Sequence, residues 1–200
     1  MLPIFSCIII FCLWLRYEIH KSSKHSENNK NSLFEREAKA NSTRKKPINT
    51  LNYITISEKT ILFLEINDNI IKKCQNGFWN LLDTKILNLS GMNNTDLKME
   101  YGVGNFTVLC EADNNYNELV RLLHNYGKRL NELEYTSQSI EVLEYAISIG
   151  SDMSITYKLL TEIYIANNMS DKINNLIESA EQLDSLTKNS ILSHLHSAIS

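Results

Sequence analysis

The chain has 200 residues, 43% apolar and 22% charged, the size and balance of one folded domain with an appendage. Six Gly and two Pro exclude collagen and Pro-rich linkers and argue against a turn-dense β-sandwich; four Cys exclude a disulfide-scaffolded mini-protein. A formal net charge of −3, from 20 basic and 23 acidic side chains, is too balanced for a general nucleic-acid binder.

The charge is unevenly spread. Met1–Leu15 (MLPIFSCIIIFCLWL) carries none. Residues 16–46 hold nine basic side chains (Arg16, Lys21, Lys24, Lys30, Arg36, Lys39, Arg44, Lys45, Lys46) and four acidic ones (Glu18, Glu27, Glu35, Glu37). That segment is therefore about +5, and the remainder is about −8. As a helix, the uncharged run reaches roughly 22 Å, short of a hydrocarbon core of about 30 Å. Ile19 extends it if Arg16 and Lys21 snorkel, and a start further upstream would serve the same end. Trp14 and Tyr17 fall where an interfacial aromatic belt lies. A cleaved signal peptide wants a positive n-region and a small-x-small site, and neither is present. A buried core helix suits the basic flank poorly. The expectation is a single-pass transmembrane anchor over residues 1–19 in the cell membrane, with the basic flank holding the C-terminal domain in the cytoplasm. Unpaired thiols at Cys74 and Cys110 agree with a reducing compartment. The N-x-Ser/Thr matches at Asn41, Asn88, Asn93, Asn105 and Asn168 are then chance products of an Asn-rich chain.

Residues 20–50 are polar and rich in Ser, Asn and Lys, with little apolar surface to offset chain entropy, and read as a basic flexible linker. LFEREAK inside it has the makings of two helical turns. Residues 51–112 read as a helical N-terminal part of the C-terminal domain. Within it, LNYITI suggests a short strand or an extended arm. From Ile70 through Cys74, Phe78 and Leu82 to Ile86, apolar residues recur at steps of three and four, with Asp68 as N-cap and Gly91 as stop. Gly77 weakens that helix by about 1 kcal/mol. MNNTDLKMEYGVGN reads as turn, short helix, turn, and NFTVLCEADNN as one more short helix. Gly102-Val103-Gly104 lacks the third glycine of a dinucleotide loop.

Residues 113–200 carry an internal repeat. One constant offset places Leu123 over Tyr157, Tyr126 over Leu160, Leu130 over Tyr164, Leu143 over Ile177 and Ala146 over Ala180. This stretch resembles the tetratricopeptide-repeat family, whose period of about 34 residues equals that offset. Leu123, Tyr126, Gly127 and Leu130 fall where that family places its Trp, Leu, Gly and Tyr. Ala146 and Ala180 fall at its small packing position. Thr161 departs from the family's Gly, Ser139 and Ile173 from its other Ala, and Ser151 and Ser185 from its Pro. More loosely, the whole arrangement resembles bacterial proteins with one N-terminal membrane span and a small cytoplasmic repeat domain. The resemblance implies an all-α fold of helical hairpins stacked as a right-handed solenoid: two repeats plus a capping helix. Leu186, Ile191, Leu195 and Ile199 form the buried side of that cap. Asp152, Asp171 and Ser185 are placed as N-caps. Two repeats fall below the three or so needed for stability, so the helices of 68–112 should pack on the first repeat; a homo-dimer is the other remedy.

Opposite the apolar stripe of the first repeat helix lie Arg121, His124, Lys128, Asn131 and Glu132; the second presents Ile155, Lys158, Glu162 and Ile165. In the resembled family these positions line a groove that holds an extended peptide. Arg121, Lys128 and Lys158 suit carboxylates, and the Asn131 amide suits a peptide backbone. An ordinary solvated helix face is the competing reading. His194 and His196 are two apart and splay on a helix, so no metal is expected. Cys74 and Cys110 read as core fillers. No G-x-S-x-G, H-E-x-x-H or phosphate loop occurs, and neither enzyme nor cofactor is expected. The expected function is a membrane-tethered helical-repeat adaptor that recruits a protein or peptide partner, preferably acidic and not nucleic acid, with a structural subunit of a membrane complex as the alternative.

Overall fold

The computed structural model describes residues 2–56 and 64–199, with side chains outside 2–10 and 22–29. Helix accounts for 71% of the chain and no strand forms among the described residues, so the class is all-α. The chain divides into two compact units, residues 1–47 with 93–106, and residues 48–92 with 107–200.

The first unit contains α1 (Leu2–Ser42) and α3 (Asn94–Tyr101). The transmembrane anchor expected at 1–19, and with it the cell-membrane localisation, is corrected by the structure: among the described residues no helix is long and apolar enough to cross a membrane. The uncharged run stops at Leu15, and the same helix goes on through Arg16, Glu18 and Lys21. Phe11, Leu13, Trp14, Tyr17 and Ile19 are exposed on it. The flexible linker expected over 20–50 is likewise helical as far as Ser42. No Gly or Pro interrupts residues 4–46, so nothing in the covalent chain stops the helix once its end has a partner. That partner is α3. Ala40 and Leu97 are buried, Arg36 pairs with Asp96, and Glu37 accepts from Thr95 Oγ1 (2.7 Å) and from Lys98 Nζ. The Lys98 and Thr95 donors hold the Glu37 carboxyl below its ordinary range. Asn93 caps α3 by accepting from Asp96 N (3.0 Å), and Asn105 is buried with its amide donating to Lys46 O and Tyr101 O, both 2.7 Å. Gly102, at φ +84°, closes the unit, where a Cβ would lie 2.1 Å from Arg44 O.

The second unit contains α2 (Asn69–Leu81), α4 (Phe106–Glu132, from Thr107 on), α5 (Thr136–Ser148), α6 (Ser154–Ala166), α7 (Ile173–Glu181) and α8 (Lys188–Ala198). Asp68 is the N-cap of α2: Oδ1 accepts from Ile70 N (2.9 Å) and Ile71 N (3.0 Å), while Oδ2 accepts from Arg129 at the far end of α4 (2.7 Å). The helix ends at Leu81 rather than running to Gly91, because residues beyond it use their backbone bonds elsewhere. Ile54 N donates to Ile86 O (2.9 Å) and Leu87 N to Ala112 O (3.1 Å). The stretch at 52–56 is thus an extended arm. NFTVLCEADNN is not a separate helix but the first turns of the 27-residue α4. Its polar residues anchor the loop before α3: Asp113 accepts from Leu89 N (3.2 Å), and Asn115 donates to Lys85 O (3.0 Å).

Two cores meet on α5. Its Val142 and Ala146 pack with Ile71, Phe78, Leu119, Leu123 and Tyr126 of α2 and α4. Its Ile140, Leu143 and Ile147 pack with Tyr157, Leu160, Tyr164, Leu176, Ile191 and Leu195 of α6, α7 and α8. Phe78 and Tyr126 meet edge to face at 5.6 Å. At Gly127 a Cβ would lie 2.7 Å from Leu143 Cγ, and Ser139 donates to Gly127 O (2.7 Å), so α4 and α5 approach closely where Gly127 has no side chain.

The hairpin turns repeat each other bond for bond. After α4, Tyr135 N donates to Leu130 O (2.9 Å) and Glu134 N to Asn131 O (3.1 Å), with Glu134 at φ +66°. After α6, Met169 N donates to Tyr164 O (2.8 Å) and Asn168 N to Ile165 O (3.2 Å), with Asn168 at φ +57°. Both are left-handed helix stops of the Schellman type, and every member of the second lies one repeat period after its counterpart. The expected N-caps differ. Met153, Lys172 and Thr187 occupy the cap positions without side-chain capping bonds, and Ser185 instead hydrogen-bonds Thr187 (2.8 Å). Asp152 offers its carbonyl, which accepts from Thr187 Oγ1 (2.9 Å). In the closing helix Ile191 and Leu195 are buried, but Leu186 precedes α8 and is fully exposed, and Ile199 beyond its end is exposed too.

Candidate functional site

The residues named from the repeat fall into two groups. Leu123, Tyr126, Gly127, Leu130, Ala146, Tyr157, Leu160, Tyr164 and Ala180 are all buried. Arg121, Lys128, Lys158 and Glu162 are exposed, and Asn131 is half-buried. His124 departs from the outward face expected for it. It is 7% exposed and its Nδ1 shares a 3.1 Å hydrogen bond with Thr156 Oγ1, so the ring fills the seam between α4 and the first turn of α6. Burial, with Lys128 adding to it, lowers its pKa and keeps it neutral. It is a packing residue and does not belong to the exposed face.

The remaining residues are not gathered into one pocket. Arg121 is bound to Glu118 one turn back, with Nε to Oε2 at 3.1 Å. Lys128 stands two turns further along, 4.0 Å from Glu132. Lys158 and Glu162 lie on α6 and make no side-chain bond among the described residues, flanked by exposed Ile155 and Ile165.

Arg121 of these lines a concavity. A groove of about 460 Å³ runs between α2 and α4, lined by Ile70, Lys73, Cys74, Asn76, Gly77, Asn80, Glu118, Arg121, Leu122 and Asn125. Its floor exists because Gly77 lacks a side chain: a Cβ there would lie 2.7 Å from Leu122 Cδ1. The apolar side of α2 (Ile71, Cys74, Phe78, Leu81) faces the core, which leaves Lys73, Asn76 and Asn80, at steps of three and four, on the groove wall. On α4, Glu118, Arg121, Leu122 and Asn125 follow the same spacing. Asn76, Asn80 and Asn125 make no side-chain hydrogen bond among the described residues. Burial pushes the Cys74 thiol up, so it stays protonated and weakly nucleophilic. Asp68 and Arg129 pair at the N-terminal end of α2. Arg129 and the two cap N–H groups hold the Asp68 carboxyl down to about 2.

No family model matches the chain, and no curated protein and no solved structure matches it. The groove residues of α2 escape a reading based on the repeat alone, because α2 lies outside it; Asn125 lies within the repeat, one turn from the outward residues Arg121 and Lys128. The available signal is the complement of the apolar stripe: Lys73, Asn76 and Asn80 are the residues that stripe leaves out. Among the described residues no cluster of His, Cys, Asp and Glu has the makings of a metal site.

Proposed function

We propose that the protein is a helical-repeat adaptor of the tetratricopeptide type, acting by binding a protein or peptide partner and not by catalysis. The observation that carries this is the pair of identical helix stops one repeat period apart, after Glu132 and after Ala166, joined to buried residues at the same spacing. Such a period is the mark of stacked helical hairpins, which use their outer helix faces and the grooves between helices to hold partners. The α4–α5 and α6–α7 hairpins are read as two repeats of a right-handed solenoid, α8 as the C-terminal cap and α2 as the N-terminal neighbour of the first repeat. The exposed basic residues Arg121, Lys128 and Lys158 favour acidic partners.

The test is quantitative affinity capture with a C-terminally tagged chain beside a variant carrying Arg121→Glu, Lys128→Glu and Lys158→Glu. All three side chains are exposed, so helicity by circular dichroism should be unchanged. A partner retained by the wild type and lost by the variant supports the proposal. A partner held equally by both removes these residues from binding.

A further inference from the structure

We infer that the groove between α2 and α4 is a site for a short extended peptide segment bearing a carboxylate, which sits between Lys73 and Arg121. This rests on the partner-binding reading above and narrows it to one place and one ligand chemistry. The volume of about 460 Å³ falls within the range of about 300–1,000 Å³ typical of ligand sites. Charge complementarity sets the ligand's sign. The Lys73 ammonium has no carboxylate partner among the described residues, and Arg121 is engaged only by Glu118 of its own helix. An exposed pair three residues apart is worth little, so an incoming carboxylate displaces it at small cost and can take the guanidinium fork with two hydrogen bonds.

The amides set the ligand's backbone. Asn76, Asn80 and Asn125 each offer an N–H donor pair and a carbonyl acceptor, the complement of a peptide group in a chain that has no internal hydrogen bonds. Three such exposed groups, with no protein partner among the described residues, on two facing helices, match a main chain running along the groove. The floor of Gly77 and Leu122, with half-exposed Ile70 at its edge, accepts a small apolar side chain beside the acidic one. A basic peptide meets Lys73 and Arg121 there against the single carboxylate of Glu118 and is disfavoured.

The test uses the full chain, labelled with nitrogen-15, and three capped hexapeptides at millimolar concentration: acetyl-Ser-Glu-Ala-Glu-Leu-Ser-amide, its Gln counterpart and its Lys counterpart. The Glu peptide should shift the side-chain amide signals of Asn76, Asn80 and Asn125 saturably. The Gln peptide should bind about fivefold more weakly and the Lys peptide not at all. Lys73→Glu, at an exposed position, should weaken the Glu peptide about fivefold with the fold intact; Arg121→Gln should do the same. The assignment is overturned if those amides do not move, if Glu and Gln peptides bind alike, or if Lys73→Glu changes nothing. Shifts confined to α6 around Lys158 and Glu162 would sink the groove and leave the adaptor reading standing.

Discussion

Replacing Gly127 tests how closely α4 and α5 approach. In an exposed helix Gly→Ala stabilises by about 1 kcal/mol. Here the new methyl would lie 2.7 Å from Leu143 Cγ and 2.8 Å from Cδ2, and Leu143 is fully buried. Because the branch carbon itself is struck, rotating the end of the side chain gives no relief. Overpacking of this kind costs about 1–3 kcal/mol, so Gly127→Ala should be net destabilising by about 1 kcal/mol. Leu143→Ala alone should cost about 2–5 kcal/mol through the cavity it leaves. With that side chain gone, the methyl introduced by Gly127→Ala has room, and the substitution should stabilise by about 1 kcal/mol in the Leu143→Ala background. The expected coupling is therefore about 2 kcal/mol. Urea denaturation followed by Trp79 fluorescence in a Trp14→Phe background reads it from the unit that contains α2. An equal gain from Gly127→Ala in both backgrounds would refute the close approach. Gly77 provides the contrast. Its Cβ would strike only the far methyls of Leu122, whose Cγ is 3.3 Å away, at the groove floor. Gly77→Ala should thus be close to neutral or mildly stabilising.

Glu134 bears a backbone strain at φ +66° that Asn168 tolerates more easily at φ +57°, so Glu134→Gly should stabilise by about 1 kcal/mol and Asn168→Gly by less, both measured by thermal melting. Arg129 and the cap N–H groups hold Asp68 down to about 2 in the folded chain, below its ordinary 3.8, so it contributes stability that is complete above about pH 5 and is lost as pH falls toward 2. Melting temperatures from pH 5 to pH 2 should fall less steeply for Asp68→Asn than for the wild type; parallel curves would remove the Arg129 pair from the account. Gly102→Ala should disrupt the turn against Arg44, raising amide hydrogen exchange in α3 while α6 stays protected.

Local chemistry made parts of this fold legible. Asp68 announced the start of α2, and the constant offset of the repeat located the residues that pack α4 through α7. What stayed hidden was tertiary. The stop of α2 at Leu81 depends on Ile54 and Ala112, far away in sequence, taking the backbone bonds of the following residues. The extra turns of α4 depend on Asp113 and Asn115 finding the 85–89 loop, where composition alone suggests a break. Residues 20–42 look too polar to order, and their helix is docked at its end by Ala40, Arg36 and Glu37 on α3. His124 belongs by periodicity to an outward face, but the first turn of α6 brings Thr156 against it. The groove was illegible for a related reason: half of it comes from α2, which the repeat does not include.

Photo-crosslinking tests the adaptor claim most directly. A photoreactive residue is placed in turn at Asn125, Lys128 and Lys158, with Leu186, fully exposed in the loop before α8, as control. The account predicts a partner adduct from the α4 and α6 positions and none from Leu186. An adduct from Leu186 alone, or equally from all four positions, would contradict it.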